Sequence, residues 1–276
     1  YYEMKKLLFL GILFLSQTLF AQAPYGSNNG HYITIKGAKV YYEEYGKGTP
    51  LLLLHGGFGS ISNFNQVIGP LSKNYRVIAI DSPGQGRSEQ IDAISYQIFS
   101  DYYAEFIDKM KLDSVYVVGW SDGGNSAFIL AHDRPDKVKK VVACGSDTDM
   151  FDAAPAGFVE NMKTRTPENI SEEYKKYWLN DFLKLSPNKN TWQKTFTQLR
   201  DMWITKEVIS DDHLRKIKSK FLIVYGDRDV IKLEHGLHIY RTIPGSQLVI
   251  LPNTSHGVFM EKPTLISNLI VDFLGK

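Results

Sequence analysis

Ser121 sits in the run Gly119-Trp120-Ser121-Asp122-Gly123, with a glycine two positions before it and another two positions after. A serine hydroxyl is a weak nucleophile until a neighbouring base takes its proton, and it must be presented clear of its own backbone. A strand that runs directly into a helix gives such a turn, and small residues at the flanking positions let it close. The apolar Val115-Tyr116-Val117-Val118 precedes the run, and the helix-like Asn125-Ser126-Ala127-Phe128-Ile129-Leu130-Ala131 follows it. A helix beginning just past Ser121 would offer free N–H groups and partial positive charge where an oxyanion develops. The chemistry implied is attack on a carbonyl.

For a nucleophile so placed, an orienting acid and then a histidine follow in chain order. Gly226-Asp227-Arg228-Asp229 comes after the apolar run 221–225, and Pro252-Asn253-Thr254-Ser255-His256-Gly257 comes after 248–251. His256 is the candidate base. Asp227 and Asp229 both stand where an acid could fix its tautomer and steady the imidazolium. His55-Gly56-Gly57-Phe58-Gly59 follows the run 51–54, and its glycines let backbone approach the substrate closely. The oxyanion donors expected are the N–H of Asp122 and that of Gly57 or Phe58. His55 is read as shaping this loop. Trp120 and Asp122, on either side of the nucleophile, are the candidate substrate-contacting residues.

These residues need a scaffold that brings distant loops together. Short apolar runs at 51–54, 76–80, 115–118, 138–144, 221–225 and 248–251 have the look of strands buried on both faces. They alternate with helical stretches at 95–110, 125–133 and 233–243, which argues for a mainly parallel sheet with helices on both sides. In such sheets the functional loops lie at the carboxyl ends of the strands. Residues 32–35 and 40–45 read as a hairpin leading into the sheet. From 147 to 218 no strand is evident; Thr166-Pro167-Glu168 and Ser171-Glu172-Glu173 signal helices, and Trp178, Trp192 and Trp203 lie among them. This stretch is expected to form a helical cap, its aromatics mostly packing it down and some lining an apolar pocket. The division expected is a signal and leader segment at 1–23, core at 24–146, cap at 147–218 and core again at 219–276.

From about Gly30 to the C-terminus the chain resembles the α/β-hydrolase superfamily, with separated motifs in the right order. Asp81-Ser82-Pro83-Gly84-Gln85-Gly86-Arg87-Ser88 is similar to its Asp-x-x-Gly-x-Gly-x-Ser loop, and residues 252–263 to its histidine loop. The resemblance implies that the acid is the last residue of Gly-x-x-Asp, which selects Asp229 and leaves Asp227 a supporting role. A serine at position 121 sets the chain apart from the aspartate-nucleophile dehalogenases and epoxide hydrolases of this fold. The elbow Gly119-Trp120-Ser121-Asp122-Gly123-Gly124 resembles that of valacyclovir hydrolase-like enzymes, in which the acid after the nucleophile is thought to recognise a substrate amino group. Asp122 would then favour aminoacyl esters; alternatively it simply suits the positive end of a helix.

Composition narrows the rest. The chain has 276 residues, 43% hydrophobic and 22% charged, which is enough for one catalytic domain with an insertion. A net charge of +2 gives no reason to expect nucleic acid or an anionic membrane as partner. Cys144 is the single cysteine, which excludes an intrachain disulfide, and its apolar surroundings suit a buried residue. Lys5-Lys6, the apolar stretch 7–15 and Ala21-Gln22-Ala23 form the pattern of a secretory signal peptide, following a Met4 that reads as the initiator. The stretch is short of the ~20 residues that span a bilayer. Export to the periplasm or beyond, without a membrane anchor, is expected. His235 and His238 lack a third ligand and read as ordinary helix surface rather than metal. No dinucleotide or phosphate fingerprint follows the first strand, so no cofactor is expected. The activity implied is that of a serine hydrolase on a small ester, amide or thioester. Carbon–carbon bond cleavage, N-terminal peptide trimming and a non-catalytic ligand-binding role stay open on the same fold.

Overall fold

The computed structural model describes residues 25–26, 29–206 and 209–275, so the expected signal segment lies outside the described residues. Eight strands form one sheet: β1 (His31–Ile35), β2 (Ala38–Tyr45), β3 (Pro50–Leu54), β4 (Arg76–Ile80), β5 (Val115–Trp120), β6 (Val138–Cys144), β7 (Lys220–Gly226) and β8 (Gln247–Leu251). Their order is β1-β2-β4-β3-β5-β6-β7-β8, with β1 and β2 antiparallel and the other pairs from β4 to β8 parallel.

The unbroken apolar runs are explained by cover on both faces. Successive side chains of a strand point to opposite sides. Leu52, Leu54, Val117, Val141 and Ile223 meet Phe99, Tyr103 and Phe106 of the helix Tyr96–Lys109 and Phe128 of the helix Asp122–Asp133. Leu51, Leu53, Val118, Val142 and Val224 face the other way, onto Val67 and Ile68 of the helix Asn65–Leu71 and Ile266 and Ile270 of Pro263–Leu274. The reading of 248–251 as buried on both faces does not hold. β8 is the edge of the sheet, and Ile250 is 45% exposed.

Between β6 and β7 the described residues form helices and no strand. The longest is Trp192–Ile204; Ser171 caps Glu172–Tyr174 by accepting the Tyr174 N–H, and a π-helical turn at Lys175–Leu179 follows. Thr195 and Gln198 tie Trp192–Ile204 to the loop after β4, through Gln90 Oε1 (2.7 Å) and the Asp92 carbonyl (2.7 Å). No helix of the described residues is long and apolar enough to cross a membrane.

Candidate active site

The helix Asp122–Asp133 begins three residues earlier than its apolar pattern suggests, directly after Ser121. Ser121 has φ +53° and ψ −124°, a strained conformation that surrounding contacts must hold. Its N–H donates to the Cys144 carbonyl (2.8 Å), and its own carbonyl accepts the N–H groups of Gly124 (2.8 Å) and Asn125 (3.0 Å). The glycines are there for space. A Cβ on Gly119 would lie 2.6 Å from the Gly123 carbonyl oxygen, and one on Gly123 would run into the Leu54 carbonyl.

Asp229 and His256 arrive from the loops after β7 and β8. His256 Nδ1 lies 2.7 Å from Asp229 Oδ1, which also accepts the Ile231 N–H at 3.0 Å. The Asp229 side chain is fully buried, whereas the imidazole is partly open. Asp227 is turned elsewhere: its carboxylate accepts the Thr254 N–H (3.0 Å), and this bond holds its pKa below the usual range. It braces the histidine loop.

After β3, Gly56 to Gly59 form a turn closed by the Gly59 N–H on the Gly56 carbonyl (3.1 Å). A Cβ on Gly56 would sit 3.0 Å from Ser121 Cβ, so the loop lies against Ser121. His55 holds it from behind. The Ser82 N–H donates to its Nε2 (2.9 Å), leaving Nδ1 to donate to the Gly56 carbonyl (2.7 Å), and burial lowers its pKa. Helix geometry leaves the Asp122 N–H without an intrahelical acceptor.

The Asp122 carboxyl is buried at the junction of elbow and cap. Trp203 Nε1 donates to both of its oxygens, and the Tyr96 hydroxyl donates to Oδ1 at 3.1 Å. Burial raises its pKa to about 7, with the neighbouring Asp147 adding to the rise and the Trp203 and Tyr96 hydrogen bonds opposing it. Trp120 takes a different place from its neighbour: its Nε1 donates to the His256 carbonyl (2.9 Å), and its ring lies 5.6 Å from the imidazole. It supports the histidine loop.

Ser121, Asp122 and His256 open into one pocket of about 210 Å³. Its other walls are Met150, Ala154, Phe158, Met162, Trp178 and their neighbours, mostly from the segment between β6 and β7. Among the described residues, no Lys or Arg side chain lines it.

Three contributors belong to no motif in the sequence. Gly145 follows β6 with φ +57°, where a Cβ would be 2.8 Å from His256 Nδ1 and 3.2 Å from Asp229 Oδ2. A glycine at the carboxyl end of a central strand was the only available clue. Trp203 and Tyr96 reach Asp122 by packing alone. The reading of His235 as helix surface is corrected: it is 4% exposed, its Nδ1 lies 2.9 Å from Asp152 Oδ2, and its Nε2 accepts the Thr148 N–H at 3.1 Å. Among the described residues no group of three or more His, Cys, Asp or Glu is placed to hold a metal ion.

A family profile described as the alpha/beta hydrolase fold matches residues 49–263. The chain belongs to this family. Among its relatives, a 2-hydroxy-6-oxo-2,4-heptadienoate hydrolase of Pseudomonas putida is 28% identical, over 89% of this chain and 96% of its own. A pimeloyl-[acyl-carrier protein] methyl ester esterase of Vibrio vulnificus is 26% identical, over 86% of this chain and 98% of its own. A meta-cleavage product hydrolase of Pseudomonas fluorescens superposes with a TM-score of 0.73 at 24% identity, covering 89% of this chain and 97% of its own. Hydrolysis is thus the chemistry of the family members it resembles.

Proposed function

We propose that this α/β hydrolase is a serine hydrolase that cleaves small, uncharged carboxylic esters through an acyl-enzyme on Ser121. The contact that carries the reading is His256 Nδ1 on Asp229 Oδ1, in a histidine that shares its pocket with Ser121. With Nδ1 engaged, Nε2 is the nitrogen free to take the Ser121 proton. Ser121 Oγ then bonds to the ester carbon, and the carbonyl oxygen becomes an oxyanion facing the N–H of Asp122 and of Gly57 or Phe58. The imidazolium returns its proton to the leaving alkoxide as the C–O bond breaks. A water, deprotonated by His256, attacks the acyl-serine, and collapse releases the carboxylic acid and restores the hydroxyl.

The pocket supports the substrate class. At about 210 Å³ the pocket is smaller than the roughly 300–1,000 Å³ usual for drug-sized ligands, so the acyl or alkoxy group should be small. The apolar lining favours a hydrocarbon part. A substrate carboxylate would meet no cation there and would face the Asp122 carboxyl. The 2-hydroxy-6-oxo-2,4-heptadienoate hydrolase of Pseudomonas putida suggests a second reading, carbon–carbon bond hydrolysis of an oxo-dienoate by the same groups. A panel of p-nitrophenyl esters, ω-carboxylated esters, aminoacyl esters and an oxo-dienoate separates these. The expected order is neutral short esters first, with carboxylated and cationic substrates at least tenfold lower in kcat/KM; faster turnover of the dienoate would transfer support to the second reading.

Export rests on residues 5–23, whose pattern is that of a secretory signal. Sequencing the N-terminus of the protein from periplasm and medium tests it: cleavage after Ala21 is expected, and an intact Met4 terminus on cytoplasmic protein would contradict it.

A further inference from the structure

Phe58 combines an unusual backbone with an unusually crowded ring. Its φ is +55°, and it is the third residue of the turn that the Gly59 N–H closes onto Gly56. A turn with positive φ at the third position is one that glycine or asparagine ordinarily fills, because a side chain there crowds the backbone. The commoner turn, with negative φ at that position, differs by a rotation of the central peptide of about half a turn. In this loop the central peptide is Gly57–Phe58. Its rotation would exchange the Phe58 N–H for the Gly57 carbonyl on the side it now faces. The turn lies against Ser121 and has no room for a Cβ at Gly57, where Asp122 Oδ2 and the Trp203 ring close in.

The ring of Phe58 is anchored by residues of the segment between β6 and β7. It stacks on Trp178 with centroids 4.3 Å apart and planes 12° from parallel. Trp178 stacks in turn on Tyr174, at 4.2 Å and 7°, so the three rings form a column. Trp192, Phe196 and Trp203 meet Phe58 at 5.6 to 5.8 Å. Phe58 is therefore buried by a part of the chain that contributes no group to the proton transfers.

We infer that Trp178 is a positioning residue for the oxyanion loop: by stacking on Phe58, it holds the left-handed backbone that keeps the Gly57–Phe58 peptide aimed at the substrate's carbonyl oxygen. This inference rests on the serine-hydrolase reading above. Its consequence is that the segment over the pocket governs turnover as well as fit. A substrate that never reaches Trp178 still depends on it.

The test uses p-nitrophenyl acetate, whose acetyl group offers the pocket a single methyl. Trp178→Ala, Trp178→Phe, the double variant Phe58→Gly/Trp178→Ala and Ser121→Ala are compared with the unaltered chain. Burst titration with diethyl p-nitrophenyl phosphate counts competent sites, so that kcat is expressed per folded enzyme. Trp178→Ala should lower kcat about tenfold with KM within twofold, a fraction of the 10²–10³ lost with a whole oxyanion donor. Trp178→Phe, which can still stack, should keep most of the rate. The double variant should regain most of what Trp178→Ala loses, because glycine adopts positive φ without help. A Trp178→Ala that changes only KM, or a titratable double variant no faster than Trp178→Ala, would overturn the inference. Should Trp178→Ala yield no competent sites, Trp178→Leu, which fills space without stacking, replaces it with the same expectation. Loss of turnover in Ser121→Ala alongside a normal Trp178→Ala rejects the positioning role alone, whereas an active Ser121→Ala rejects the hydrolase reading itself.

Discussion

Trp203 Nε1 donates to both carboxylate oxygens of Asp122, at 3.0 and 3.1 Å, across the seam between the turn at Ser121 and the helix Trp192–Ile204. The residue after Ser121 thus has its acid occupied from within the protein. Tyr96 supplies a further donor, and Asn125 engages the second buried carboxyl, Asp147, at 2.9 Å. Both donors to Asp122 are neutral, which is why burial prevails and its pKa rises to about 7.

That raised pKa makes stability depend on pH in a definite direction. The unfolded chain releases the Asp122 proton near pH 4, while the folded chain keeps it to about pH 7. Between those values the folded state binds more protons, so its stability from this group is full below pH 4 and declines as pH rises to about 7. Asp122→Asn keeps an oxygen for Trp203 but has no proton to lose. Urea unfolding of both proteins from pH 4 to 8 should show Asp122→Asn gaining on the unaltered chain by up to about 1.4 kcal/mol per pH unit in that window. Parallel curves would show that the carboxyl ionises in the folded protein as readily as in the unfolded one.

Asp229 and Asp227 stand two residues apart but should differ by orders of magnitude in effect. Asp229 engages His256 Nδ1, so Asp229→Asn should favour the wrong tautomer and lower kcat by about 10³–10⁴. Asp227 is exposed and accepts from backbone N–H groups of the histidine loop, at Thr254 and Asn253, so Asp227→Asn should cost less than about tenfold. Steady-state kinetics on one ester settles the comparison, and equal losses would mean that the acid has been misassigned.

Gly145 should be intolerant of even one carbon. Alanine there is strained at φ +57° and would place its Cβ 2.8 Å from His256 Nδ1. Displacing the imidazole by a fraction of an ångström should lower kcat about 10- to 100-fold. The melting temperature should fall by only a few degrees, as expected of a cost near 1 kcal/mol. A Gly145→Ala protein with unaltered kcat would show that the loop moves aside freely.

The parts of the site that could be read from the sequence are those whose geometry is local. A glycine pair around Ser121, a Gly-x-x-Asp after β7 and a histidine loop after β8 are each fixed by the end of one strand, and the covered sheet makes those strands apolar throughout. The cap contributes through packing between residues far apart in the chain. Trp203 meets Asp122 across 81 positions, and Trp178 meets Phe58, with no motif to mark either tryptophan. His235 misled for a related reason: two histidines at helical spacing look alike, yet one is buried against Thr148 while the other is exposed beside Asp211. β8 reads as a central strand because Leu248-Val249-Ile250-Leu251 is apolar, although among the described residues no strand pairs with its outer edge.

Covalent capture of the nucleophile tests the central claim most directly. A fluorophosphonate needs an activated serine, so one phosphonyl group per chain should be found by mass spectrometry on the peptide carrying Ser121. Labelling and ester turnover should vanish together in Ser121→Ala. An adduct on another residue, or a Ser121→Ala protein that still turns over esters, would contradict it.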